Sequence, residues 1–212
     1  MDERPFGAIT RWWWIRHAPV SHLHDRIYGN TDPDADTSDE AAFRALASRL
    51  PGDAVWVVSH LRRTHQTARA IARGGYALPQ WIEEPDVGEQ DFGALHGVLH
   101  VDHAATRTDV FHGFWPNDPA EPAPGGESLE QVQRRVMTAV ARHSDRYAGR
   151  DIVCVAHGGP IVCAVGAALD LDLRRAVALS IPNLSLTRLD RLHAPRRGAP
   201  AWRVLGVGER PL

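Results

Sequence analysis

Three short apolar runs, each leading straight into a residue with chemistry of its own, constrain this chain more than anything else in it. Trp12 to Ile15 runs into Arg16 and His17, Ala54 to Val58 into Ser59, and Asp151 to Ala156 into His157. Runs this short and apolar, bounded by charged or turn residues, read as strands buried on both faces. Helical segments alternate with them. One is capped by Thr37 or Ser38 and runs to about Leu50, with Ala41, Phe43, Leu46 and Leu50 near one face; Pro51-Gly52-Asp53 ends it. A second spans Arg62 to Arg73 and closes at Gly74-Gly75, and a third spans Ser128 to Tyr147 with Leu129, Val132, Val136 and Val140 at helical spacing. A fourth opens at Gly158-Gly159-Pro160 and is apolar on most sides.

Strands alternating with helices predict an α/β fold: a three-layer α/β/α sandwich with a mostly parallel sheet. Gln80 to Glu83 is a short extended piece. Ser185 to Leu189 and Trp202 to Val207 predict an antiparallel C-terminal edge. The length, 212 residues, suits a single domain over 1–212. The stretch from about 85 to 127, rich in Gly, Pro, His and Asp, reads as a cap or lid inserted over a site. Trp12, Trp13 and Trp14 read as core. Trp115, inside the cap, is the better candidate for touching a substrate.

Open parallel sheets bind ligands at the carboxyl ends of their strands. Two histidines, His17 and His157, and two or three arginines, Arg16 with Arg62 and Arg63 at the start of the second helix, are therefore predicted to share one crevice. Guanidinium groups offer planar, permanently charged contacts to phosphate oxygens. The helix start at Gly158 adds backbone N–H groups and a positive dipole end. The formal net charge of −2 provides no overall field for nucleic acid or an anionic membrane surface, so neither is expected as a partner. A small phosphorylated molecule is.

At this point the sequence resembles the histidine phosphatase, or phosphoglycerate mutase-like, superfamily. W-I-R-H-A at 14–18 resembles its Arg-His-Gly motif, and S-H-L-R-R-T-H-Q-T-A at 59–68 resembles the element that carries its second pocket arginine, Arg63 here. G-E-Q-D-F-G-A-L-H-G at 88–97 resembles the segment of its acid and places Glu89 there. P-G-G-E-S-L at 124–129, V-A-H-G-G-P-I at 155–161 and P-N-L-S at 182–185 follow in order. The resemblance implies a metal-independent phosphomonoesterase working through phosphohistidine, with no cofactor. His17 would be the nucleophile and Glu89 the proton donor and acceptor, while Arg16, Arg63, His157 and the Gly158 amide surround the phosphoryl oxygens. Ala18 stands where the motif has Gly; its methyl would narrow the phosphate pocket while leaving its N–H available. His60 stands where the motif has Pro. Y-G-N-T-D at 28–32 resembles a segment of α-ribazole phosphatases and makes Tyr28 a substrate contact by that resemblance. Rival readings are α-ribazole phosphatase itself, a phosphoglycerate mutase, and a non-catalytic phospholigand-binding module.

Twelve histidines raise the question of metal. His96, His100 and His103 form a helical-looking cluster without an HExxH pattern, and His22 and His24 flank Leu23, so packed or solvated rings are expected and no metal. Cys154 and Cys163 lie in apolar runs and read as buried free thiols. The N-terminus lacks a signal-peptide pattern and no apolar run reaches membrane-spanning length, which predicts a cytoplasmic protein. Glu127 is expected to cap the long helix with help from Ser128. A homo-oligomer would use an edge strand or the apolar helix after Pro160; nothing in the sequence selects either.

Overall fold

The computed structural model describes residues 7–107, 115–193 and 201–211. Six strands form one sheet in the order β3-β2-β4-β1-β5-β6: β1 (Ile9–Arg16), β2 (Val55–Val58), β3 (Trp81–Glu83), β4 (Asp151–Ala156), β5 (Leu186–Leu192) and β6 (Trp202–Glu209). β1, β2, β3 and β4 run parallel, whereas β5 and β6 are antiparallel. Most of the predicted HAPRRGAP loop between the last two strands lies outside the described residues.

The period-2 alternation of the central strands builds two cores. On one face Trp12, Trp14, Ile152 and Cys154 pack against α4 (Leu129–Arg146), α5 (Gly158–Ala168) and α6 (Leu173–Ala176). On the other, Ile15, Trp56, Val153 and Val155 pack against α1 (Glu40–Arg49) and α2 (Arg62–Arg73). This is the expected three-layer sandwich. Trp13 is the exception to an all-core Trp12–Trp14: it is partly buried, its ring 3.9 Å from the Arg188 guanidinium and its indole N–H donating to Asp151 at 2.8 Å. Both cysteines are buried and free.

Three details differ from expectation. Asp39, not Thr37 or Ser38, caps α1, accepting from the Ala42 N–H at 3.0 Å. Ser128, not Glu127, caps α4, in a reciprocal capping box with Gln131. The stretch expected to be irregular contains α3 (His100–Thr106); its sequence HVDHAAT has only Val101 as a large apolar residue, and that side chain is 72% exposed, so no hydrophobic periodicity announces the helix. Residues 108–114 of that stretch lie outside the described residues. Among the described residues no helix is long and apolar enough to cross a membrane.

The strand order fixes where a site forms. β1 and β4 are parallel neighbours with Arg16 paired to Ala156. The chain leaving β1 goes to α1 on one face, while the chain leaving β4 turns directly into α5 on the other. The two connections part and open a crevice at the carboxyl ends.

Candidate active site

Register alone puts His17 beside His157, since each follows one member of the Arg16–Ala156 pair. Their ring centroids are 5.1 Å apart, and both residues are buried. The His17 N–H donates to Ala156 O at 3.0 Å, its carbonyl accepts from Asn183 Nδ2 at 2.8 Å, and its Nδ1–H donates to its neighbour's carbonyl, Ala18 O, at 2.6 Å. That last bond fixes the tautomer and leaves the lone pair on Nε2. Burial, then the charges of Arg63 and Arg16, push the imidazole pKa well below its ordinary 6.5.

Ser59 ends β2 next to this pair. The His157 Nε2 and Ser59 Oγ are 2.8 Å apart, and the same Oγ accepts from the Leu61 N–H at 3.3 Å. Burial foremost, then Arg63 and His17, lower the His157 pKa well below 6.5. Two neutral rings therefore face two cations.

Arg63 is fully buried, held by Thr31 O at 2.5 Å and Gly29 O at 2.7 Å, with its guanidinium 5.4 Å from the Tyr28 ring centroid. Arg16 Nη1 donates to Ile181 O at 2.6 Å. Six buried side-chain nitrogen or oxygen atoms lack a hydrogen-bond partner among the described residues, and three of them are Arg16 Nε, Arg63 Nε and His157 Nδ1. Unpaired buried donors are costly; concentrated here, they suit an acceptor-rich anion.

Glu89 approaches from the loop after β3. Its Oε1 accepts from the Gln90 N–H at 3.0 Å and from Gly159, at the start of α5, at 3.2 Å. A Cβ at Gly159 would lie 2.5 Å from that oxygen, so a side chain there would push the Glu89 carboxylate aside. A Cβ at Gly158 would lie 3.7 Å from the Arg16 guanidinium and 3.8 Å from Glu89 Oε2, which places Gly158 between acid and arginine. Arg135 on α4 sets this loop. It donates to Asp86 O, Gly88 O and Glu89 O at 2.7, 2.8 and 3.1 Å, and grips Glu127 through both of that residue's carboxylate oxygens.

The expected residues His17, Arg16, Arg63, Glu89, His157 and Gly158 thus gather at the carboxyl ends of the parallel strands, and Tyr28 lies against the Arg63 guanidinium. Two expectations need correction. The Ala18 N–H donates to Thr67 Oγ1 at 2.9 Å and its methyl is buried in the α1–α2 core, so the methyl does not narrow the crevice and the N–H is already used. Glu127 does not cap α4 but ties Arg135 and accepts from the Asp91 N–H at 3.0 Å. Arg62, beside Arg63 in sequence, turns outward to Asp32 and Asp34 at 3.6 and 3.4 Å. Sequence reasoning missed Thr67, Arg135, Asn183 as the His17 anchor, and Ser59 as the partner of His157. Leu184 adopts φ 59°, unusual for a bulky residue, while its N–H donates to Arg16 O at 3.0 Å.

The histidines expected to be packed or solvated are separate. The His96 Nε2 accepts from the Phe92 N–H at 3.2 Å, His103 sits 2.9 Å from Asn117 Oδ1, and His22 and His24 are exposed. Among the described residues no cluster of three or more His, Cys, Asp or Glu is placed to hold a metal ion.

An anion-receptive crevice that presents a neutral ring nitrogen between arginines defines a class of phosphate-handling sites, and comparison with known proteins narrows it. The sequence profile of the histidine phosphatase superfamily (branch 1) matches residues 12–198, and the chain belongs to that superfamily. It is 33% identical over 168 residues to a bifunctional protein of Mycobacterium tuberculosis, covering 77% of this chain but 45% of that one, so it spans less than half of that relative. It is 29% identical over 164 residues to a metal-independent phosphoserine phosphatase of Arabidopsis thaliana, covering 74% and 68%. The structure of a mycobacterial glucosyl-3-phosphoglycerate phosphatase superposes with TM-score 0.76 at 26% identity, covering 95% of this chain and 99% of that one.

Proposed function

We propose that the protein hydrolyses a small phosphate monoester through a phosphohistidine at His17. The observation that carries this reading is the buried His17 ring, its Nδ1–H committed to Ala18 O and its Nε2 left as a lone pair beside the arginines. In the first step Nε2 attacks phosphorus, the bond from phosphorus to the ester oxygen breaks, and Glu89 gives that oxygen a proton. In the second, Glu89 takes a proton from water, the hydroxide attacks phosphorus, and the P–N bond breaks to release inorganic phosphate. Arg16, Arg63, the Gly158 amide and His157 hold the equatorial oxygens, and the arginines supply the stabilising charge. For His157, Ser59 accepts from Leu61 and gives its hydroxyl proton to Nε2, so a neutral ring directs an Nδ1–H at the phosphate. Tyr28 and the Gly29 and Thr31 carbonyls hold Arg63 in place, which supports a supporting role for Tyr28 more than a substrate contact.

We read residues 85–127 as a cap on a single domain, on the strength of Glu89 and Glu127 lining one cleft beside the site and Trp115 lining another. The two free thiols suit a reducing compartment, the cytoplasm. A metal-independent phosphoserine phosphatase and a glucosyl-3-phosphoglycerate phosphatase among the relatives support hydrolysis, and probable phosphoglycerate mutases are among the relatives too.

The test is hydrolysis of p-nitrophenyl phosphate by wild type and His17→Ala, each with and without EDTA. Chelator-resistant turnover that falls by about a thousandfold or more in the variant is expected, as for loss of a nucleophile. Turnover that survives His17→Ala overturns the assignment; phosphate binding without any turnover points to a binding module.

A further inference from the structure

Among the described residues, one cleft borders Glu89 and another borders Arg16 and Gly158, and they differ in charge. One, of about 330 Å³, is bordered by Glu89, Asp91 and Glu127; of its bases, Arg135 is already bound to Glu127 and His60 is pushed towards neutrality, first by burial. That side repels an anionic ester. The other, of about 500 Å³, begins at Arg16 and Gly158 and runs under Trp115 along the segment 177–182. Among the described residues that line it, the charged ones are Arg16 and Arg210, and its wall mixes polar surface with apolar surface from Trp115, Val162, Val177, Leu179 and Ile181.

The fold brings Arg210 there. At the end of β6, Gly208 takes φ 64°, and a Cβ on it would lie 2.4 Å from Ser180 O, so the strand presses against the 180–182 segment and carries Arg210 to the cavity. Arg49 binds Glu209 and the Arg210 carbonyl, fixing this end of the chain. The Arg210 side chain makes no ion pair among the described residues. At the inner end, Trp115 lies 3.4 Å from where a Gly159 Cβ would be and donates its indole N–H to Gln90 Oε1 at 3.3 Å, which holds it as a wall beside Glu89.

We infer that this cavity takes the alcohol portion of the substrate, and that the alcohol contains a ring or apolar body of similar bulk and a second anionic group that meets Arg210. The inference rests on the phosphatase reading above and extends it to a substrate class. Its volume falls within the range of about 300–1,000 Å³ that holds drug-sized ligands, and a three-carbon alcohol would leave most of it to water. An aromatic wall with a single exposed guanidinium at the far end recognises an anionic, ring-sized group better than a polyhydroxylated one.

The experiment compares kcat/KM ratios for β-glycerol phosphate, phenyl phosphate and 4-carboxyphenyl phosphate in wild type, Ala178→Trp and Arg210→Gln. Ala178 lines the cavity from an exposed position, so a tryptophan there fills the cavity without entering the core. Wild type is expected to prefer phenyl over β-glycerol phosphate, and the carboxylated ring over the plain one. Ala178→Trp should cut the first ratio about tenfold. Arg210→Gln should cut the second about tenfold, the scale of one charge-assisted hydrogen bond. Ratios unchanged in both variants, with turnover intact, overturn the cavity assignment alone. A wild type that hydrolyses none of the three esters overturns the phosphatase reading, and this inference with it.

Discussion

At the scale of single residues, the site depends on two rings staying neutral among cations. His17 and His157 are both lowered by burial first and arginine charge next. An imidazolium at His17 would have no lone pair to offer, so the depressed pKa keeps the nucleophile ready below the pH where a free ring would be half protonated. NMR titration of the ring nitrogens should show His17 and His157 still unprotonated at pH 6.5, and titration at or above that value would contradict the account. His17 and His157 were legible because they follow buried runs directly, whereas Arg63 and Glu89 were legible only through the motifs that resemble the superfamily's. Their supports were not. Thr67 bonds the Ala18 N–H and Ser59 the His157 ring across separations of 49 and 98 residues, and only the folded sheet makes those pairs neighbours. The Ala18 methyl shows the same limit: the motif suggested a crowded phosphate, whereas backbone direction sends the methyl into the α1–α2 core.

At the scale of elements, Glu89 is a loop residue whose position is imposed by a helix. Arg135 on α4 holds three carbonyls of the 86–89 loop while Glu127 holds Arg135. Small misplacements of a proton donor are costly, up to about a hundredfold for ~1 Å. Arg135→Met keeps the aliphatic packing and removes the grip. It should lower kcat by roughly tenfold to a hundredfold for β-glycerol phosphate. The loss should be smaller for p-nitrophenyl phosphate, whose leaving group needs protonation less. Equal losses on both esters would mean that Arg135 does not act through Glu89. The long helix bearing Arg135 was readable from Leu129, Val132, Val136 and Val140, all buried; the partners of its polar face were not, since a charged face usually meets water. α3 and the four-residue α6 escaped for a related reason, being too short or too polar to show a period.

At the scale of the whole molecule, alternating strands and helices made the sandwich readable, and the last two strands were recognisable as an antiparallel edge. The crevice follows from chain direction: the connections after β1 and β4 go to opposite faces. This places two buried histidines at the centre of the sheet, with a consequence for stability. Unfolded, both rings take up protons near their ordinary 6.5; folded, they resist. The unfolded state then binds more protons, so stability rises with pH and is lost as pH falls below that value. Urea midpoints should fall between pH 7.5 and 5.5, and His157→Asn should make that dependence shallower; an unchanged dependence would show that the ring does not contribute.

The covalent intermediate tests the central claim most directly. Glu89→Gln retains the nucleophile but lacks the base that activates water, so the phosphoenzyme should accumulate when p-nitrophenyl phosphate provides a leaving group that needs little protonation. Rapid quenching of this variant with ³²P-labelled ester, followed by peptide mapping, should find phosphate that is acid-labile and alkali-stable on the peptide containing His17. Turnover with no label on the protein, or label on any other residue, would contradict the account.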